Sequence, residues 1–332
     1  MLEQSPTVFA KENVLIQNGE CSITVHPLLG GKISSISIRG RELLQAPLAP
    51  LDVRTRTMTF DEADASGWDE CLPSVAGACV TTPDRQVHSI PDHGDLWRVA
   101  WENLEEPQEK LRTDGLTADA KAVTLRAECF SLPLVLVRSL ALSEKDRSWH
   151  LSLHYKLTNI GATHVPWAWS AHPLFAVEAG DRIVLPDSIH TLRLEGSGGG
   201  RLGTSGSPVN WPMATLADGG KSDLSVALKA DSGVGDKLAA GPVHKDENWC
   251  VLERASVGIR IRVRFDAAAT PYLGLWICYG GWPDRPGPKQ TCVAIEPATA
   301  PVDSLAQIGP WSRTLGPGES SEWTMHVDFE LM

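Results

Sequence analysis

Apolar residues recur at every second position along this chain almost from end to end, and that period constrains its fold more than any other feature. Residues 150–158 place Leu151, Leu153, Tyr155 and Leu157 on one face, and residues 257–265 do the same with Val257, Ile259, Ile261, Val263 and Phe265. Residues 324–331 and 122–130 alternate in the same way. Successive side chains of an extended chain point to opposite faces, so a period of two predicts half-buried antiparallel strands. Residues 21–44 read as a strand, a Leu-Leu-Gly-Gly turn, a strand from Lys32 to Ile38, and a turn at Gly40. Long amphipathic helices are hard to find. The 23 Pro and 29 Gly punctuate the chain at the intervals of a large sandwich. The expectation is an all-β protein: a large antiparallel β-sandwich with few short helices, spanning 1–332 as a single domain. The Gly- and Ser-rich residues 196–206 have strands of the same kind on both sides, which makes them a long surface loop within that domain.

Composition narrows the function. Thirty basic and 41 acidic residues give a net charge of −11, and no run of Lys or Arg interrupts the balance. Phosphate binding needs a basic face, so nucleic acid and anionic membrane are not expected partners. Seven cysteines (positions 21, 71, 79, 129, 250, 278 and 292) form no CxxC pair. An odd count of that kind fits reduced, packed thiols of a cytoplasmic protein. Residues 1–14 carry Glu3, Lys11 and Glu12 without a continuous apolar stretch, so no signal peptide is expected. No 18 consecutive apolar residues occur, so no transmembrane helix is expected either. Tryptophan is over-represented, with 12 against six Phe and three Tyr. The CH faces of sugar rings stack on indole, so Trp clustered near polar groups suits a carbohydrate pocket as well as a core.

Four segments set ionisable groups among Gly, Pro and Trp. They are Pro91-Asp92-His93-Gly94-Asp95-Leu96-Trp97-Arg98, Trp167-Ala168-Trp169-Ser170-Ala171-His172-Pro173-Leu174-Phe175, Val293-Ala294-Ile295-Glu296-Pro297 with the nearby Asp303, and Gly67-Trp68-Asp69-Glu70-Cys71. Glu296 follows an apolar run, and a buried Glu is uncommon unless paired or functional. Asp69 and Glu70 are adjacent, so on a strand only one of them can face a pocket.

In order, these segments resemble the aldose 1-epimerase (galactose mutarotase-like) family over roughly residues 14–328. Gly30-Gly31-Lys32-Ile33 with Gly40-Arg41-Glu42-Leu43-Leu44 resembles its N-terminal strand pair, and His93-Gly94 its first His-Gly motif. His172-Pro173-Leu174-Phe175 resembles its second His motif, and Glu296-Pro297 with Asp303-Ser304-Leu305 the segment bearing its catalytic Glu. The resemblance implies mutarotation of an aldose: Glu296 as base, His172 as acid, and His93 polarising the ring oxygen or sharing the acid role. A carboxylate of pKa ~4.3 and an imidazole of ~6.5 suit those tasks. It implies a small sugar as partner and no metal or organic cofactor. The family's sugar-binding Asp, between the second His and the Glu, finds a loose match in Asp246. Trp68, Asp69, Glu70, Trp97, Arg98 and Trp169 are the further candidates for substrate contact, with Asp69 or Glu70 supplying specificity.

Other chemistries fit less well. No GxSxG elbow occurs, and Gly196-Ser197-Gly198-Gly199-Gly200 lacks the Lys-Ser/Thr close of a phosphate loop. A glycoside hydrolase pairing Glu296 with Asp69 or Glu70, a metal site on His93, His172 and Glu296, a phosphosugar mutarotase, and a non-catalytic carbohydrate-binding domain are the alternatives.

Overall fold

The computed structural model of the protein describes residues 13–104 and 121–332; most of the N-terminal stretch read above for a signal peptide, residues 1–12, lies outside them. Two large sheets dominate. Reading across the first, eleven-stranded sheet, the strands are Val14–Asn18, Cys21–His26, Lys32–Ile38, Trp68–Cys71, Ser170–Ala176, Thr291–Ala298, Tyr272–Tyr279, Val234–Ala240, Thr191–Ser197 and Pro208–Asn210, with Arg41–Glu42 beside Lys32–Ile38. The second, eight-stranded sheet runs Arg182–Val184, Trp249–Arg254, Ile259–Phe265, Ser320–Leu331, Ser148–Asn159, Leu134–Lys145, Lys121–Glu128 and Glu102–Leu104. Helical structure among the described residues is confined to 3-10 turns of three residues. No described helix is long and apolar enough to cross a membrane.

The alternation read from the sequence becomes the core. Leu151, Leu153, Tyr155 and Leu157 are all fully buried from the strand Ser148–Asn159, and Ile259, Ile261 and Val263 are buried beside them. Each such side chain contributes about 1.5–3 kcal/mol relative to remaining exposed. Val257 is the exception. Gly258 adopts φ +67°, which ends the extended run, so the strand begins at Ile259 and Val257 sits in the turn before it. The strands Thr191–Ser197 and Pro208–Asn210 on either side of the Gly- and Ser-rich stretch pair with each other, so that stretch is a surface connection within one sheet. Five of the seven cysteines are buried, and all are free thiols.

Half-burial fails at the centre of the first sheet. Every residue of Trp68–Cys71 is buried, as are all but one residue of Ser170–Ala176 and of Thr291–Ala298. One face of these strands packs in the main core against the second sheet. The other is covered by connecting segments, whose Phe60, Ala63, Ala65 and Trp97 form one small apolar cluster, while Leu174, Cys278, Cys292 and Ala294 of the strands form another.

Candidate active site

Register decides which side chains share the covered outer face. Antiparallel pairing of Ser170 with Ala298 and of Leu174 with Ala294 sets His172 opposite Glu296. On its other side His172 pairs directly with Asp69. Glu296 pairs with Gly274, and Lys237 with Trp276. Directly paired residues of an antiparallel ladder lie on the same face, so Asp69, His172, Glu296, Trp276 and Lys237 all point outward from five neighbouring strands. Gly274 keeps the row open: a Cβ there would stand 3.0 Å from Glu296 Oε2 and 3.2 Å from its Cβ.

The geometry is tight. Glu296 Oε1 lies 3.7 Å from His172 Nε2, and Glu296 Oε2 accepts a hydrogen bond from Lys237 Nζ. Lys237 Nζ also stands 3.9 Å from the Asp303 carboxylate. Glu296 Oε1 and His172 Nδ1 are both buried without a hydrogen-bond partner among the described residues. Burial, then the neighbouring His93 and Lys237, hold the His172 pKa well below the usual histidine value, so its ring is neutral. Burial alone would lower the Lys237 pKa, but Asp303 and Glu296 outweigh it and push the ammonium above its ordinary value. Burial raises the Asp303 pKa, partly offset by Lys237.

His93 enters from a connecting segment. It adopts φ +60° and Gly94 φ +68°, and a Cβ at Gly94 would fall 2.2 Å from the Leu72 carbonyl oxygen. Only glycine permits that close passage. The sharp turn delivers the His93 ring edge-on to His172, with centroids 5.3 Å apart, and flat against Phe60 at 4.0 Å. His93 Nδ1 donates to Asp92 Oδ2 at 2.7 Å. Burial would raise the Asp92 pKa, but the hydrogen bond and charge of His93 bring it below the usual carboxylate value.

His93, His172 and Lys237 line an open cleft of about 300 Å3, walled by Phe60, Trp276 and Trp282 and edged by Asp61, Asp92, Asp303 and Gln290, and Glu296 is buried behind His172 and Lys237. His93, His172 and Glu296, distant in sequence, thus meet in one place.

The other sequence candidates do not reach it. Trp68, Trp97 and Trp169 are all buried, so the expectation that they wall a sugar pocket is overturned. Trp68 and Trp169 point into the main core because each is one residue out of phase with the outward-facing row. Trp97 is clamped between the guanidiniums of Arg54 and Arg98, 5.1 and 4.1 Å from its ring. Asp69 faces outward but is sealed under the connecting segments, where Lys32 (2.7 Å) and Arg54 (2.9 Å) take its two oxygens. Glu70 faces inward between the sheets, accepting hydrogen bonds from Arg138, Tyr155 and Trp169. Arg98 is also buried, donating to the backbone carbonyls of Met58, Asp92 and Gly94; it holds the His93 turn and does not line the cleft. Asp246 lies on an exposed turn beside His244, outside the cleft.

Between His172 and Glu296 in the chain, the charged residue that does reach the cleft is Lys237. Sequence reading missed it, although a signal was present: Asp236-Lys237 interrupts an otherwise apolar strand, and buried charge there demands a partner. Phe60, Trp276 and Trp282 carried no such local mark.

No protein-family model matches the chain, and no curated protein matches it. Solved structures do. The Slr1438 protein from Synechocystis sp. PCC 6803 superposes with a TM-score of 0.69 at 15% identity, covering 100% of both chains. A galactose mutarotase-like protein from Lactobacillus casei gives 0.62 at 16% identity, over 96% of this chain and 100% of that one. An aldose epimerase homologue from C. elegans gives 0.61 at 13%, over 96% and 99%. The likeness is one of architecture: the chain has the galactose mutarotase-like fold.

Proposed function

We propose that the protein is an aldose 1-epimerase, interconverting the α and β anomers of a free, uncharged aldose. One observation carries this reading. The unpartnered oxygen of Glu296 stands 3.7 Å from Nε2 of His172, and His172 with His93 lines the aromatic-walled cleft in front of it, which sets a proton acceptor next to proton donors.

Glu296 Oε1 takes the proton of the anomeric hydroxyl. The bond between C1 and the ring oxygen breaks, its electron pair stays on that oxygen, and the oxygen takes a proton from an imidazole. After rotation about C1–C2, the steps reverse and the other anomer closes. In this reading the two histidines share the roles differently from what the family resemblance implies. His172 is held neutral by its burial, so it serves as a hydrogen-bond donor through Nε2. His93, its Nδ1 engaged by Asp92, has Nε2 left to give up and regain the proton.

Charge favours a free sugar over a phosphosugar. Three carboxylates, Asp61, Asp92 and Asp303, line the cleft, and its Lys237 is already paired with Glu296. A phosphate dianion would meet repulsion there and no unpaired cation among the described lining residues. The glycoside hydrolase pairing loses its second carboxylate, since neither Asp69 nor Glu70 reaches the cleft. The described residues hold no group of three or more His, Cys, Asp or Glu placed to bind a metal ion.

Polarimetry of freshly dissolved α-D-glucose and α-D-galactose, with and without the protein, tests the proposal. The expected result is catalysed equilibration that survives prolonged EDTA treatment. Rates indistinguishable from buffer on every free aldose would defeat it, and activity lost to EDTA and restored by Mn²⁺ or Zn²⁺ would turn the three residues into ligands.

A further inference from the structure

We propose that Lys237 is a catalytic residue of this cleft, its ammonium stabilising the negative charge that develops on the anomeric oxygen as Glu296 removes that oxygen's proton. The inference rests on the mutarotase reading and adds to it a group that the sequence motifs do not contain.

Four observations converge. Lys237 projects from Val234–Ala240 across Gly274, whose missing Cβ leaves the path open to Glu296 two strands away. Lys237 lines the cleft and its Nζ bonds one oxygen of Glu296, while the other oxygen of that carboxylate is buried without a hydrogen-bond partner. Glu296 is its one hydrogen-bond acceptor among the described residues, and Asp303 at 3.9 Å is too distant to accept a second bond. An ammonium carries three N–H groups, so donors remain for substrate.

Geometry then selects the substrate atom. A hydroxyl that gives its proton to Glu296 Oε1 lies against the same carboxylate whose Oε2 holds Lys237. The oxygen of that hydroxyl is therefore the substrate atom nearest the ammonium. As the O–H bond breaks and the proton passes to Glu296, charge builds on this oxygen before the C1=O double bond forms and the ring oxygen takes up the released electron pair and a proton. A fixed cation in a partly buried cleft stabilises that charge more in the transition state than in the bound sugar. Lys237 itself forms no covalent bond. Its ammonium is held protonated between two carboxylates, which removes the free amine needed for imine formation with the open-chain aldehyde.

Lys237→Met, with the wild-type protein assayed in parallel on the best free aldose, tests the assignment. The expected result is a fall in kcat on the order of 10²–10³-fold with KM changed by less than about 3-fold, as for loss of an oxyanion donor. A purely structural lysine would instead lower Tm and leave kcat of the folded variant close to wild type. If Lys237→Met does not fold by circular dichroism, Lys237→Gln keeps a hydrogen-bond donor to Glu296 without the charge, and the same two readouts apply. A folded variant with wild-type kcat overturns the proposal and leaves the mutarotase reading standing. An inactive wild-type protein overturns the reading, and the proposal falls with it.

Discussion

Glu296 and His172 face each other across one rung of a ladder, yet their chemistry differs because their partners differ. Glu296 has an ammonium on one oxygen and nothing on the other. Replacing it with Gln preserves shape and removes the capacity to take a proton. We expect kcat in the polarimetric assay to fall on the order of 10²–10⁴-fold, and an unchanged rate would remove Glu296 from the mechanism. His172 makes a different prediction, read in stability. Burial, His93 and Lys237 depress its folded-state pKa below the ~6.5 of an unfolded histidine. Between those two values the unfolded chain binds a proton that the folded chain refuses, so stability falls as pH drops through that window and is unaffected above it. His26 and His326, lowered chiefly by their own burial, act in the same sense. The Tm of wild-type protein should therefore fall from pH 7 to pH 5.5, and the fall should be smaller in His172→Gln. Equal slopes in the two proteins would show that His172 titrates freely.

A strand's burial pattern, at the next scale, depends on what covers it. Ser148–Asn159, inside the second sheet, shows the alternation its sequence writes, whereas Trp68–Cys71 is buried throughout because segments bearing Arg54, Phe60 and Trp97 lie over it. The same covering makes single backbone positions matter. Gly274 has an ordinary φ, and its cost to a β-strand is the usual one of missing side-chain contact. Its place opposite Glu296 gives it a use. In Gly274→Ala the new methyl presses on Glu296 Oε2 and Cβ, displacing the base from Lys237 and from substrate. The expected outcome is a kcat lower on the order of 10–10²-fold with Tm unchanged within a few degrees, since small misplacements of a catalytic group are costly while alanine suits a strand. Loss of Tm in parallel with kcat would instead mean that the sheet itself is distorted.

Across the whole molecule, the two sheets are joined by a polar link inside an apolar core. Glu70 of the first sheet meets Arg138 and Tyr155 of the second, and all three are fully buried. Burial raises the Glu70 pKa, and Arg138 opposes it most strongly, followed by hydrogen bonds from Tyr155 and Trp169. Removing one member strands the other. Arg138→Met alone should cost about 3–5 kcal/mol in urea denaturation. The double variant Glu70→Gln with Arg138→Met keeps an acceptor for the Trp169 indole and turns its amide NH2 to donate to the Tyr155 hydroxyl, and should recover most of that loss. A double variant no more stable than Arg138→Met would show that packing by Arg138, and not its charge, holds the sheets together. This link also fixes the phase of Trp68–Cys71, because Glu70 turned inward obliges Asp69 to turn toward the site.

Much of this was legible before any coordinates. Period two is a local property, since each side chain's face follows from its neighbours along an extended backbone, so the all-β architecture and most strand positions could be read directly. His93, His172 and Glu296 could be picked out because Gly or Pro beside an ionisable group leaves a mark in one short segment, and the fold sets the three close together. What lines the cleft with them was decided elsewhere. Whether Trp68 stacks on a sugar or fills the core depends on strand register, and the register of Trp68–Cys71 is set by partners about 100 residues away, at Ser170–Ala176. Lys237 reaches Glu296 only because two further strands pair so that Gly274 lies between them. Asp69 is denied to solvent only because Lys32 and Arg54 converge on it. Local chemistry named the groups able to react, while long-range pairing chose which of them stand together.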